Sequence, residues 1–163
     1  MQAALRHKGF TLVELVTTII LIAILSVVVL PRLMTSSSYS AFTLRDEFVS
    51  ELRKAQLLAM NNRDLCYRIS VDTSGYQLQG FSNMACTATT DAPVLTETKQ
   101  KFEGGAGLEL VSGSKKSFKV SFDRQGLVTT NGTSTVCSGN CIKVIADETL
   151  MISIESQGYI HGR

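Results

Sequence analysis

Two kinds of apolar pattern divide the chain. From Leu15 to Leu30 the sequence reads LVTTIILIAILSVVVL, without one charged residue, and the only charge between Phe10 and Leu30 is Glu14. A helix drawn through this run is apolar on every face, unlike a core helix of a globular domain, which is apolar along one stripe. Phe10 to Leu30 is about 21 residues, or roughly 30 Å of helix, the thickness of a bilayer hydrocarbon core. The run therefore predicts a membrane-spanning helix over residues 10–31. A kink is expected at Pro31, where the ring removes the hydrogen bond to the Val27 carbonyl and crowds that turn.

Beyond Pro31 the pattern becomes one-sided. Thr35 to Ser38 are weak helix formers. Ala41, Leu44, Phe48, Leu52, Ala55 and Ala59 then recur at spacings of three and four, with Arg45, Asp46, Glu47, Lys54 and Asn61 largely off that stripe. Asp46 and Glu47 early, and Arg53, Lys54 and Arg63 late, suit the helix dipole. This predicts an amphipathic helical half over residues 32–63, ending near Asn61-Asn62 and packing on the chain's own sheet. From Phe10 the two halves make about 50 residues, or about 80 Å if continuous. A domain of roughly 100 residues cannot cover such a helix, so its first half needs lipid or neighbouring subunits around it.

Residues 64–163 alternate with the period of strands. Leu65, Tyr67, Ile69 and Val71 alternate with polar residues, Asp72-Thr73-Ser74-Gly75 turns, and Tyr76 to Phe81 returns as a hairpin. Residues 83–106 read as a long surface loop with one short strand at Val94 to Thr96. Leu108 to Val111, Phe118 to Phe122, Leu127 to Thr129, Cys141 to Ile145 and Leu150 to Ile154 are further strands, the last two joined at Asp147-Glu148. Gly158-Tyr159-Ile160 closes the chain. The fold class expected is α+β: a long kinked N-terminal helix packed against antiparallel β-sheets.

Charge adds orientation. Arg6, His7 and Lys8 precede the apolar run and Arg32 follows it; basic residues at the N-terminal end place that end in the cytoplasm and the remainder outside. The four cysteines all lie beyond the run, which suits an oxidising compartment such as the periplasm. Of three possible pairings the local one is expected, Cys66 with Cys86 and Cys137 with Cys141. The first closes a loop of about 20 residues, worth about 3 kcal/mol by chain entropy; the second would fix a turn. A four-cysteine zinc site is the sharper alternative, but neither pair has the two-residue spacing of a zinc ribbon, so no metal is expected.

Glu14 remains. A carboxylate inside a membrane span is costly and by default functional. An ordinary secretory signal, cut after its apolar region, would leave Glu14 unexplained. The basic leader ending in Lys8-Gly9, then Phe10-Thr11-Leu12-Val13-Glu14 and an apolar helix with Pro31 at its end, resembles the class III signal of type IV pilins and type II secretion pseudopilins. That resemblance implies removal of residues 1–9 by a prepilin peptidase cutting between Gly9 and Phe10, N-methylation of the new Phe10 amine, and retention of the apolar helix. It also implies assembly through Glu14, which would meet the methylated amine of a neighbour. Removing the leader leaves 14 basic against 14 acidic side chains, so the mature chain carries no global pull toward nucleic acid.

The stretch Ser117-Phe118-Lys119-Val120-Ser121-Phe122-Asp123-x-x-Gly126, with Ile152-Ser153-Ile154-x-x-x-Gly158, is similar to the H-type minor pseudopilins, and the anchor through Pro31-Arg32-Leu33 is similar to minor pilins of the mannose-sensitive haemagglutinin pilus. These resemblances imply a minor pilin of a type IV pilus, with a minor pseudopilin of a type II secretion system or a DNA-uptake minor pilin as alternatives. The expected partners are other pilin subunits, major and minor, the prepilin peptidase, the inner-membrane assembly platform, and membrane lipid before assembly. The expected location is the inner membrane, single-pass with a periplasmic C-terminal domain, and then the filament at the cell surface.

Enzymatic readings find little support. His7 lies in the leader and His161 in the C-terminal tail; there is no Gly-x-Ser-x-Gly elbow and no His-Glu-x-x-His run. Gly104-Gly105-Ala106-Gly107 lacks a following Lys-Ser/Thr, so it reads as a turn and not as a phosphate cradle. Lys115-Lys116 reads as a solvated turn, and nucleic acid is not expected as a partner. No catalytic residue and no cofactor are expected.

Overall fold

The computed structural model describes residues 10–34, 41–82, 92–130 and 137–163, and of residues 27–34 the backbone course alone. Two compact units make up the chain, Met1–Ser36 and Ser37–Arg163. The first contains helix α1, Leu12–Met34. The second contains helix α2, Ala41–Asn61, followed by antiparallel strands. The α+β class expected from the sequence is the class observed.

Helix α1 runs through Pro31 to Met34, so the proline lies inside the helix and not at its end. The kink expected there falls in residues 27–34, whose backbone course alone is described. Helix α2 buries Ala41, Leu44, Phe48, Leu52, Ala55 and Ala59, all six stripe positions, together with Val49. Burying a leucine or phenylalanine is worth about 1.5–3 kcal/mol relative to leaving it in water, so this stripe, more than local propensity, holds the helix in place.

Strands β1 (Cys66–Asp72) and β2 (Gly75–Phe81) form the expected hairpin, in register from Cys66 opposite Phe81 to Asp72 opposite Gly75. In its turn Asp72 Oδ1 accepts the Ser74 N–H and the Ser74 hydroxyl, both at 2.8 Å. Two short strands, β3 (Leu95–Thr96) and β4 (Gln100–Lys101), both pair with β2. A side chain at Gly75 would put its Cβ 2.0 Å from the Gln100 carbonyl oxygen, so β4 approaches only because that residue is glycine.

The chain next makes β5 (Gly107–Leu110), then returns with β6 (Phe118–Phe122) and β7 (Val128–Thr130). It ends with β8 (Gly139–Ile145), β9 (Thr149–Ile154) and β10 (Ile160–Gly162). One sheet has the order β3-β2-β1-β6-β7 with β4 also on β2; the other has the order β10-β9-β8-β5. Thus β5 belongs to the second sheet although it lies between strands of the first. Helix α2 packs against β1 and β6 of one sheet and β8, β9 and β10 of the other. Ile69, Leu78 and Val120 from the first sheet join Ile142, Val144, Ile152 and Ile160 from the second in one core around Phe48 and Leu52. Phe48 meets the Tyr76 ring edge-on, centroids 4.9 Å apart.

Polar clasps tie α2 to both sheets. Asp147, in the β8–β9 turn, accepts the Ala41 N–H. Gln56 Nε2 donates to the carbonyls of Gly126 and Gly158, each at 2.7 Å. Arg53 Nη2 donates to the Ile160 carbonyl at 2.8 Å. At the far end Asn62 donates to the Tyr67 hydroxyl at 2.8 Å.

Cys137 and Cys141 are disulfide-bonded, Cα atoms 5.7 Å apart, as expected. Cys66 is also disulfide-bonded; its expected partner, Cys86, lies outside the described residues.

Candidate functional site

The N-terminal turn of α1 is built by its own side chains. Thr11 precedes the helix and its Oγ1 accepts the Glu14 N–H at 3.2 Å, a cap on one of the donors that a helix start leaves unpaired. The Thr11 carbonyl accepts the Leu15 N–H at 3.2 Å. Glu14 thereby falls in the first turn, where the positive end of the helix dipole favours a carboxylate. It is exposed, and among the described residues no cation pairs with it.

The hydroxyls farther along α1 turn back onto its own backbone. Thr17 Oγ1 donates to the Glu14 carbonyl at 3.0 Å, Thr18 Oγ1 to the Leu15 carbonyl at 2.8 Å, and Ser26 Oγ to the Ile22 carbonyl at 2.7 Å. Each is a polar group satisfied without leaving the helix, which lowers its cost in an apolar surrounding. What remains outward is apolar. Phe10 and Leu12 are each 79 % exposed, and Val13, Leu15, Ile19, Ile20, Leu21, Ile22, Ile24 and Leu25 are exposed around the helix. The described side chains of α1 end at Ser26, about 21 Å from Leu12. Among the described residues no helix is long and apolar enough to cross a membrane.

The geometry thus brings together Phe10, at the chain's first described residue, a capping Thr11, and Glu14 one turn in. Gly9, the other half of the expected cleavage site, lies outside the described residues.

A family model for the prokaryotic N-terminal methylation motif matches residues 5–30. The chain carries the class III signal of type IV pilins and pseudopilins. The match covers Arg6 to Lys8, Phe10, Glu14 and most of α1, and none of the unit Ser37–Arg163. No curated protein and no solved structure matches the chain.

No group of three or more His, Cys, Asp or Glu side chains able to hold a metal occurs among the described residues. His161 Nε2 lies 3.0 Å from Glu155 Oε1 and its ring stacks on Tyr159, at the end of β10. A cleft of about 210 Å³ between Asp72, Phe102, Leu108 and Lys116 is flanked by the ion pair of Asp72 with Lys99. That lysine, with the Ser74 hydrogen bonds, holds the Asp72 carboxyl down at about 2.

Sequence reading missed the clasp residues Asp147, Gln56 and Arg53. Their signals were indirect: a turn carboxylate at Asp147-Glu148, and Gly126 and Gly158 at two separate turns.

Proposed function

We propose that the protein is a minor pilin of a type IV pilus, a structural subunit serving adhesion or motility. Before assembly it sits in the inner membrane through residues 10–31, with residues 64–163 in the periplasm. The prepilin peptidase removes residues 1–9 and the new Phe10 amine is methylated. The assembly platform then passes the subunit into the filament, where α1 packs among the helices of other pilins.

The observation that carries this reading is the methylation motif at residues 5–30, with Glu14 as the only charge in the apolar run it opens. In the filament Glu14 meets the methylated Phe10 amine of a neighbour. Each charge is costly when buried alone, so the pair favours one axial register over others. The exposed apolar surface of α1 supports the same reading, because a helix wet on all sides needs lipid or other helices.

The test is to express the tagged chain in its own host and shear the surface filaments. Processed chain is expected in the sheared pilus fraction, at far lower abundance than the major subunit. Gly9→Val is expected to leave the longer precursor in the inner membrane. Recovery in a secretion pseudopilus, with none in pili, would overturn the pilus assignment.

A further inference from the structure

The first sheet carries a buried cation on the face turned away from α2. Tyr67, Ile69 and Val71 of β1 belong to the core, so Cys66, Arg68 and Ser70 occupy the opposite face. Arg68 stands opposite Gln79 on β2 and opposite Ser121 on β6, and Ser121 stands opposite Thr129 on β7. A polar row, Gln79–Arg68–Ser121–Thr129, thus crosses four adjacent strands.

Arg68 is 7 % exposed and Ser121 3 %. The guanidinium carbon lies 4.0 Å from the centroid of the Phe81 ring, an aromatic platform beneath the cation. Arg68 Nε is buried and has no hydrogen-bond partner. Burial lowers the Arg68 pKa from its ordinary value. Among the described residues no carboxylate pairs with it. Ser121 Oγ and Thr129 Oγ1 pair with each other at 2.9 Å, and Ser70 Oγ donates to Gln79 Oε1 at 2.8 Å. Gln79 thereby commits its oxygen and keeps its amide hydrogens for donation. The carboxylate on this face of β1 is Asp72, four residues away and held by Lys99.

A guanidinium whose Nε–H is buried without an acceptor carries a standing cost, and a planar oxyanion is the group that relieves it, taking the Nε–H together with a neighbouring Nη–H as two parallel donors. We propose that Arg68, stacked on Phe81 and flanked by Gln79 and Ser121, anchors a binding site for a small carboxylate. The guanidinium receives the two oxygens, and the Gln79 amide supplies a further donor at one side. With so little of Arg68 exposed, the ligand is a small acid. The site lies in the β-rich unit and does not rest on the assembly reading above.

The test uses the full chain in detergent with ¹⁵N-labelled arginine, titrated with sodium acetate against sodium chloride at matched ionic strength. The Arg68 Nε–H resonance is expected to move saturably with acetate and not with chloride, and acetate is expected to raise the thermal midpoint. Arg68→Met is expected to abolish the acetate-dependent rise. Should that variant fail to fold, Phe81→Leu, which keeps apolar bulk and removes the aromatic face, is expected to weaken acetate binding several-fold. The proposal is overturned by a resonance indifferent to acetate or by an Arg68→Met variant that responds like the parent. It is equally overturned by acetate-free spectra in which the Nε–H already couples to a protein carbonyl or carboxylate.

Discussion

Asp147 Oδ1 accepts the backbone N–H of Ala41 at 2.8 Å, across 106 residues of sequence. Ala41 is the first residue of α2 and is fully buried, so its N–H is a donor that neither the helix nor water satisfies. A cap for this donor comes from the β8–β9 turn, where Asp147 Oδ1 also accepts the Glu148 N–H at 3.1 Å. Removing it with Asp147→Ala is expected to cost about 1 kcal/mol, a fall of a few degrees in the thermal midpoint, while Asp147→Asn keeps most of the stability. A circular-dichroism melt of the three proteins decides it; an alanine variant melting with the parent would mean that water replaces the cap.

Gln56 and Gly158 make a second test. Gly158 has φ +82°, and a Cβ there would lie 2.4 Å from the Gly126 carbonyl oxygen. Gly158→Ala therefore combines left-handed backbone strain of about 1–3 kcal/mol with a backbone collision. Gln56→Leu leaves the Gly126 and Gly158 carbonyls without their shared donor, at a cost of about 1–3 kcal/mol. Both variants are expected to lower the denaturant midpoint, the glycine change more. Equal midpoints for Gly158→Ala and the parent would contradict the close approach of the two turns.

Tyr76 predicts behaviour in alkali. Burial, with Glu47 and Glu51 nearby, pushes its hydroxyl up to about 12, above the unfolded value of about 10. Below pH 10 both folded and unfolded chains hold the proton, and the stabilisation tied to it is complete. Between about pH 10 and 12 the unfolded chain loses the proton first, so stability falls as pH rises. Tyr76→Phe is expected to show a shallower alkaline loss, with the ring contact to Phe48 retained. Identical alkaline slopes in urea titrations at pH 10 and 11.5 would remove Tyr76 from the account.

Glu14 carries the functional prediction. Glu14→Ala is expected to leave membrane insertion and cleavage intact while the chain disappears from sheared filaments, since an unmatched cation on Phe10 is costly once buried. Membrane fractionation and immunoblotting of the pilus fraction separate the two steps. Pilus levels equal to the parent's would refute the pairing role.

What the sequence disclosed depended on how local the cause was. The stripe from Ala41 to Ala59 is set by helical geometry, and every one of its positions is buried. Val49 was missed because it lies beside Phe48, at the edge of the stripe. The Phe118–Phe122 strand was legible end to end from its alternation. Strand β4, Gln100–Lys101, has no apolar alternation and pairs only where Gly75 offers no side chain. Arg68 occupies a polar position in an alternating strand, a place that alternation alone would give to solvent, yet it is buried. The clasp of Asp147 on Ala41, and those of Gln56 on Gly126 and Gly158, span 70 to 106 residues, beyond any local pattern. At the N-terminus the reverse held. Lys8 to Glu14 and the apolar run form a contiguous signal, so the methylation motif was legible without any fold.

The inward-turned hydroxyls of Thr17, Thr18 and Ser26 give α1 a further property. They strip the helix of lateral polar marks, leaving an oily cylinder from Leu15 to Leu25 with one carboxylate near its upper rim. Spinning such a cylinder about its own axis changes little of what a neighbour touches, whereas sliding it moves the carboxylate by about 1.5 Å for each residue. The described surface is therefore nearly indifferent to azimuth and sensitive to height.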